Sequence, residues 1–129
     1  MSRFVASAIW FAAFLGIGLF AGPYLRAGYD RLFPPPVYVA GDYDEIYGQA
    51  GKPVVMFSTS TCPYCKRARE WLQQRGVDYR DYVIDESADA RQKFERLGGG
   101  GVPQVLVGRR RVLGFREDAL AEALTLAGR

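Results

Sequence analysis

The two cysteines of the chain, Cys62 and Cys65, are separated by only two residues. They follow an apolar run typical of a strand (54–57) and lead into a polar run typical of a helix (66–74). A cysteine at a helix N-terminus lies beside unpaired backbone N–H groups, which stabilise a thiolate and lower the thiol pKa. The thiolate attacks disulfides, so the spacing predicts a redox site. Cys62 attacks, and Cys65, one turn later and more deeply buried, resolves the mixed disulfide.

The composition argues against two other kinds of site. A structural zinc ion needs four ligands, but the sequence offers two cysteines and no histidine, so we predict no metal site. The net charge of +3 comes from 17 basic and 14 acidic residues that are interspersed along the chain. Nucleic-acid binding calls for a clustered basic face, so we predict none.

The N-terminal part of the sequence, Phe4 to Gly22, is an uncharged apolar run. As a helix it would span about 28 Å, which is close to the thickness of a bilayer core. We predict that residues 1–27 form an uncleaved transmembrane anchor, with a cleaved signal peptide and a buried globular helix as alternatives. The distribution of Lys and Arg favours a domain that faces the cytoplasm. We expect a single-pass protein of a bacterial inner membrane.

The rest of the sequence predicts a linker and one domain. Residues 28–41 contain three consecutive prolines, which favour an extended polyproline spacer. The domain at 42–129 begins with a capping box, in which Asp42 and Glu45 start a short helix that stops at Gly51.

From Lys52 onwards the periodicity predicts the order β-α-β-α-β-β-α. The expected buried face of the first long helix is Ala68, Trp71 and Leu72. The predicted strands are 52–58, 77–85, 104–107 and 111–113, and the predicted helices are 63–75, 87–97 and 117–127.

Two short motifs resemble the glutaredoxin family. Cys-Pro-Tyr-Cys at 62–65 is similar to the active site of dithiol glutaredoxins, and Val-Pro-Gln at 102–104 is similar to their cis-proline run. The resemblance covers about residues 52–127. It implies a thioredoxin-like α/β fold, with a mixed four-stranded sheet flanked by helices, and a thiol–disulfide oxidoreductase. It also implies a cis bond before Pro103 that exposes the backbone of Val102 to an extended substrate.

The resemblance further implies glutathione as the co-substrate, with no bound cofactor. Protein disulfides or protein–glutathione mixed disulfides would be the substrates. The residues implied at the glutathione or substrate site are Lys52, Tyr64, Val102, Pro103, Gly114 and Asp118.

One departure from the family leaves the electron source open. Glutathione-using members carry Gly-Gly-x-Asp-Asp after the last strand, whereas this chain has Gly-Phe-Arg-Glu-Asp at 114–118. That ending is similar to glutaredoxin-like hydrogen donors of ribonucleotide reductase, which are reduced by thioredoxin reductase. An iron–sulfur cluster carrier is disfavoured by Pro63 beside the nucleophile. A non-catalytic binding module is disfavoured by the intact dithiol.

Overall fold

The computed structural model describes residues 2–33 and 36–128. It divides into two compact units, Met1–Pro35 and Pro36–Arg129. The division falls within residues 28–41, the expected linker. Pro34 and Pro35, which begin the predicted polyproline spacer, lie outside the described residues.

The N-terminal unit is a single helix, α1 (Ser2–Leu32), with Pro23 inside it. The helix continues beyond residue 27, so the first part of the expected linker is helical. Within the described part of the chain, no helix is both long enough and apolar enough to cross a membrane. The expected anchor at 4–22 falls largely on residues 4–13, whose side chains lie outside the described residues. The anchor therefore stays a prediction.

The second unit contains one mixed sheet of five strands in the order β1-β5-β4-β2-β3. The pair formed by β2 and the edge strand β3 is parallel, and the other pairs are antiparallel. The strands are β1 (Tyr38–Ala40), β2 (Val54–Ser58), β3 (Tyr79–Val83), β4 (Gln104–Val107) and β5 (Arg110–Leu113).

The expectation of four strands is wrong by one, because β1 forms within the predicted linker. It pairs with β5, and the Leu113 N–H donates to the Val37 carbonyl at 3.0 Å. A strand of three residues next to prolines carries too little periodicity to be recognised, and its partner lies about 70 residues away. β1 covers the edge that β5 would otherwise expose.

The four helices of this unit confirm the predicted order. They are α2 (Asp44–Ala50), α3 (Pro63–Gln74), α4 (Ala88–Arg96) and α5 (Glu117–Leu126). The predicted cap of α4 is confirmed, because the Ser87 side chain accepts the Ala90 N–H at 3.2 Å. The capping box of α2 is wrong: Tyr43 is the N-cap residue and makes no side-chain cap bond, while Asp42 accepts the Asp44 N–H.

The core lies on both faces of the sheet. Every residue of β2 is buried, which explains its unbroken apolar sequence. Helix α3 packs on one face through Ala68, Trp71 and Leu72, as predicted. On the other face Phe57 stacks with Tyr82, with ring centroids 5.4 Å apart. This packing fixes α3, and hence both cysteines, at the end of β2.

Candidate active site

The two cysteines lie at the N-terminus of α3, as predicted. Cys62 is the N-cap residue, and its Sγ accepts the backbone N–H of Cys65 at 3.1 Å. Pro63 occupies the first turn, where its missing N–H leaves no hydrogen bond unmade. The structure joins Cys62 and Cys65 in a disulfide with a Cα–Cα distance of 5.2 Å. Cys62 is half-buried and Cys65 fully buried, so Cys62 is the sulfur that a substrate can reach.

The segment between β2 and Cys62 is held by a carboxylate that sequence reasoning missed. The Ser60 N–H donates to both carboxylate oxygens of Asp85, at 3.0 and 3.1 Å, and the Ser60 hydroxyl donates to the same group. The hydrogen bond from the Ser60 hydroxyl is the main reason that the pKa of Asp85 lies below its usual value. Asp85 follows β3, and β2 and β3 are parallel, so the strand order could have indicated this meeting.

A second polar group, also missed, lies behind the cysteines. Arg69 of α3 donates from Nε to Asp81 at 2.6 Å and from Nη2 to the Ser58 hydroxyl at 2.8 Å. The Ser58 hydroxyl donates in turn to the other oxygen of Asp81 at 2.6 Å. We call these three residues the Arg69 cluster. It links α3 to the end of β2 and to the middle of β3.

The peptide bond between Val102 and Pro103 is cis, which confirms the prediction. Pro103 is buried and its carbonyl accepts the Gly114 N–H at 2.8 Å, so these two predicted residues are neighbours. Gln104 pairs with Phe57 across the sheet. Since β4 and β2 run antiparallel, Pro103 lies at the edge where β2 leads to Cys62. The cis-proline and the dithiol therefore lie at the same end of the sheet.

Lys52 is the predicted site residue that the structure does not bring to the cysteines. It precedes β2, whereas Cys62 follows it, and the five-residue strand between them spans about 13 Å or more. The Lys52 ammonium instead pairs with Asp78 at 2.8 Å. The resemblance to the family gave the residue type, but Lys52 lies at the end of β2 opposite to the one that leads to Cys62.

Tyr64 and Asp118 are accessible to a ligand. The Tyr64 side chain is 58% exposed, with the Arg67 guanidinium 5.6 Å from its ring centroid. Asp118 is exposed in the first turn of α5, whose N-cap residue, Arg116, makes no side-chain cap bond. The first N–H groups of α5 thus lack a side-chain cap, and such groups favour an anion. Phe115, the departure from the family, packs against the core around Trp71.

Within residues 2–33 and 36–128, no three His, Cys, Asp or Glu side chains are grouped so that they could hold a metal ion. The described site offers thiols, backbone groups and an aromatic ring. Its chemistry is that of thiol–disulfide exchange.

A dithiol at a helix N-terminus beside a cis-proline, on a mixed sheet with one parallel pair of strands, defines a redox protein of the thioredoxin-like fold. Comparison with known proteins narrows this class. The family model described as Glutaredoxin matches residues 54–112. A glutaredoxin of Pseudomonas aeruginosa is 40% identical over 63 residues, which are 48% of this chain and 75% of that protein.

Further relatives agree. Glutaredoxin 3 of Escherichia coli is 36% identical over 55 residues, covering 42% of this chain and 66% of that one. The crystal structure of a glutaredoxin from Archaeoglobus fulgidus aligns with a TM-score of 0.54 at 35% identity, covering 61% of this chain and 92% of that chain. The chain belongs to the glutaredoxin family, whose members are in general thiol–disulfide oxidoreductases.

Proposed function

We propose that the protein is a glutathione-dependent oxidoreductase that reduces protein disulfides or protein–glutathione mixed disulfides. The observation that carries the proposal is the unequal exposure of two linked cysteines, with Cys62 half-buried at the helix N-terminus and Cys65 fully buried. An accessible sulfur can meet a bulky substrate, and a buried one is protected until the mixed disulfide has formed.

The proposed cycle begins with the reduced protein. The Cys62 thiolate attacks one sulfur of the substrate disulfide, and the other sulfur leaves as a thiolate that takes up a proton. The Cys65 thiol then loses its proton and attacks Cys62 Sγ, which releases the second substrate thiol and forms the Cys62–Cys65 disulfide. Two glutathione molecules supply two electrons and two protons to restore the dithiol, and they leave as glutathione disulfide.

The groups around Cys62 support binding of a tripeptide thiol. The exposed Tyr64 ring follows Cys62 by two residues in the sequence. The backbone of Val102, at the cis bond, lies at the end of the sheet where β2 leads to Cys62. An extended substrate pairs with such backbone groups like an added strand. The start of α5 offers backbone N–H groups, and Asp118 offers a carboxylate, to the charged γ-glutamyl end of glutathione.

Phe115 supports a second candidate, in which thioredoxin reductase supplies the electrons. Its ring packs against the core cluster that contains Trp71, so the residue has a structural role where glutathione-using relatives of this motif carry glycine. A side chain at this position limits how closely a ligand can approach the backbone. The thiol chemistry is the same in both candidates.

The test is a pair of coupled assays with the full chain. The substrate is a small mixed disulfide of glutathione, and the reductant is either glutathione with glutathione reductase or thioredoxin reductase with NADPH. We expect turnover with glutathione, and Cys62→Ser serves as the inactive control. Turnover with thioredoxin reductase alone would overturn glutathione dependence and favour the second candidate.

We also propose that residues 4–22 anchor the protein in a bacterial inner membrane, with the domain on the cytoplasmic side. The proposal rests on the uncharged apolar run in the sequence. It also rests on the exposure of the described large apolar side chains of α1, a feature typical of membrane or protein contacts. These side chains include Leu15, Ile17, Phe20 and Leu25.

Alkaline washing of membranes tests the anchor. We expect the full chain to stay in the membrane pellet and the double variant Leu15→Arg, Ile17→Arg to be released. Release of the unaltered chain would contradict the anchor. In intact spheroplasts, protection of Cys62 from an impermeant thiol reagent is expected for the cytoplasmic side, and labelling would contradict it.

A further inference from the structure

The segment that carries both cysteines is closed at its base by the Arg69 cluster. We call residues 58–69 the dithiol segment. Ser58 lies four residues before Cys62, and Arg69 lies four residues after Cys65. The two ends meet directly through the bond from Arg69 Nη2 to the Ser58 hydroxyl at 2.8 Å. The dithiol segment is therefore a loop with a fixed base and the two sulfurs beyond it.

The three side chains of the Arg69 cluster are hydrogen-bonded to one another and largely shielded from solvent. Asp81 accepts from Ser58 with one carboxylate oxygen and from Arg69 with the other, both at 2.6 Å. The Arg69 side chain is 25% exposed, that of Asp81 is 20% exposed, and Ser58 is fully buried. Arg69 also reaches the Thr59 carbonyl at 3.4 Å. Hydrogen bonds to charged groups are shorter and stronger than neutral ones, so this base resists movement.

Fixing the base has a consequence for the redox couple. Closure of a disulfide within one chain depends on how much of the time the two sulfurs are already within reach. We propose that the Arg69 cluster is a positioning device that holds Cys62 near Cys65, favours the disulfide over the dithiol, and so makes the reduction potential more negative. The proposal rests on the proposed function only in that Cys62 and Cys65 are the redox couple.

A direct effect of charge predicts a different pattern from positioning. Arg69 and Asp81 carry opposite charges. If they acted on the cysteine thiolates through their charges, removing one would shift the potential in the opposite direction from removing the other. If they act by closing the loop, Arg69→Met and Asp81→Asn both open it. Both variants then shift the potential in the same direction.

The experiment equilibrates the full chain with mixtures of reduced and oxidised dithiothreitol. The reagent gives two electrons and two protons to the Cys62–Cys65 disulfide and becomes its own cyclic disulfide. For both variants we expect the equilibrium constant for forming the protein disulfide to fall about tenfold. This corresponds to a reduction potential about 30 mV less negative than that of the unaltered chain. Arg69→Lys keeps the charge but not the fork of donors, so it should fall in between.

Arg110→Met is the matched control. Its side chain is 24% exposed and makes an ion pair with Glu122 at 2.8 Å, far along the chain from the cysteines. We expect its potential to equal that of the unaltered chain. Thermal unfolding of each oxidised variant checks folding, and Ser58→Ala replaces any variant that does not fold.

Two results would overturn the proposal. One is opposite shifts in Arg69→Met and Asp81→Asn, and the other is shifts no larger than that of Arg110→Met. The titration uses neither glutathione nor a protein substrate. A failure of the glutathione assay therefore leaves the titration interpretable, and the converse also holds.

Discussion

Residues 58–69, the dithiol segment, are held in place by charged and hydroxyl side chains. Residues 99–104 and 114–118, which together we call the docking segment, are connected by hydrogen bonds to backbone carbonyls. In the dithiol segment Arg69, Asp81 and Ser58 close a ring of hydrogen bonds. In the docking segment the Pro103 carbonyl accepts the Gly114 N–H, and the Gln104 amide donates to carbonyls of the glycine-rich run before it.

This difference matches the two tasks of the site: the dithiol segment carries out the disulfide exchange, and the docking segment binds the ligand. Disulfide exchange needs two sulfur atoms at one spacing, so the dithiol segment fixes residue types. Binding of an extended ligand uses backbone groups, which many residue types can present. Accordingly the Cys-Pro-Tyr-Cys motif is kept in full, whereas the docking segment carries Phe115 at the position of a family glycine. Variants in the two segments should therefore fail in different ways.

The largest effect is expected from Cys62→Ser. No other accessible thiol can attack a disulfide, because Cys65 is fully buried. Turnover of the mixed disulfide should fall to the uncatalysed rate in either coupled assay. Arg110→Met should keep full activity as the control. Clear turnover by Cys62→Ser would show that Cys62 is not the nucleophile.

Removing the Cys65 thiol should affect the reduction of protein disulfides and deglutathionylation differently. In Cys65→Ser the mixed disulfide at Cys62 has no internal thiol to resolve it, so reduction of protein disulfides should stop and covalent complexes should accumulate. Glutathione can still resolve a glutathione adduct, so deglutathionylation should persist at a reduced rate. Mass spectrometry of the trapped species and the glutathione assay measure both outcomes. Complete loss of deglutathionylation would argue against a glutathione site.

Phe115→Gly tests the docking segment, with Phe115→Ala as its matched control. Both lose the half-buried ring, so both should be destabilised by about 2 kcal/mol in chemical unfolding. Only glycine lets the ligand approach the backbone as in the family motif. One added hydrogen bond is worth about 0.5–1.5 kcal/mol, so kcat/KM with glutathione should rise about two- to tenfold in Phe115→Gly alone.

Equal activities of the two variants would contradict this account of the docking segment. A rise in both would point to the bulk of the ring rather than to the backbone. The assay with thioredoxin reductase should be unchanged by either substitution if glutathione is the electron source.

The smallest effect is expected from Asp85→Asn, which weakens the hold on Ser60. Hydrogen bonding from Ser60 lowers the pKa of Asp85, so the carboxylate stabilises the fold above the ordinary Asp pKa of about 3.9. That contribution disappears as the pH falls through the lowered pKa. Asp85→Asn should therefore melt slightly lower than the unaltered chain at neutral pH, and the two melting temperatures should converge in acid. A difference that persists in acid would exclude this charge as its source.

The sequence predicted best what is local. The strand β2, the cap at Ser87 and the buried face of α3 each follow from a pattern within about a dozen residues. The cis bond before Pro103 followed from the resemblance to a family. The order of the elements from Lys52 onwards was correct because both the local periodicity and the resemblance to a family indicated it.

What the sequence did not predict depends on residues far apart in the chain. Strand β1 exists through its pairing with β5, and the contact of Ser60 with Asp85 depends on β2 and β3 being neighbours. Lys52 shows the opposite error. Its residue type matched the family, but it lies before β2 rather than after it, so the length of the strand separates it from Cys62.

The attacking role of Cys62 can be tested most directly by alkylating the reduced full chain with substoichiometric iodoacetamide and mapping the modified peptide by mass spectrometry. A thiol at a helix N-terminus is expected to have a pKa below the value of about 8.5 for free cysteine. The account predicts modification of Cys62 almost alone, with a rate that stays high below that pH. Preferential modification of Cys65 would contradict the account.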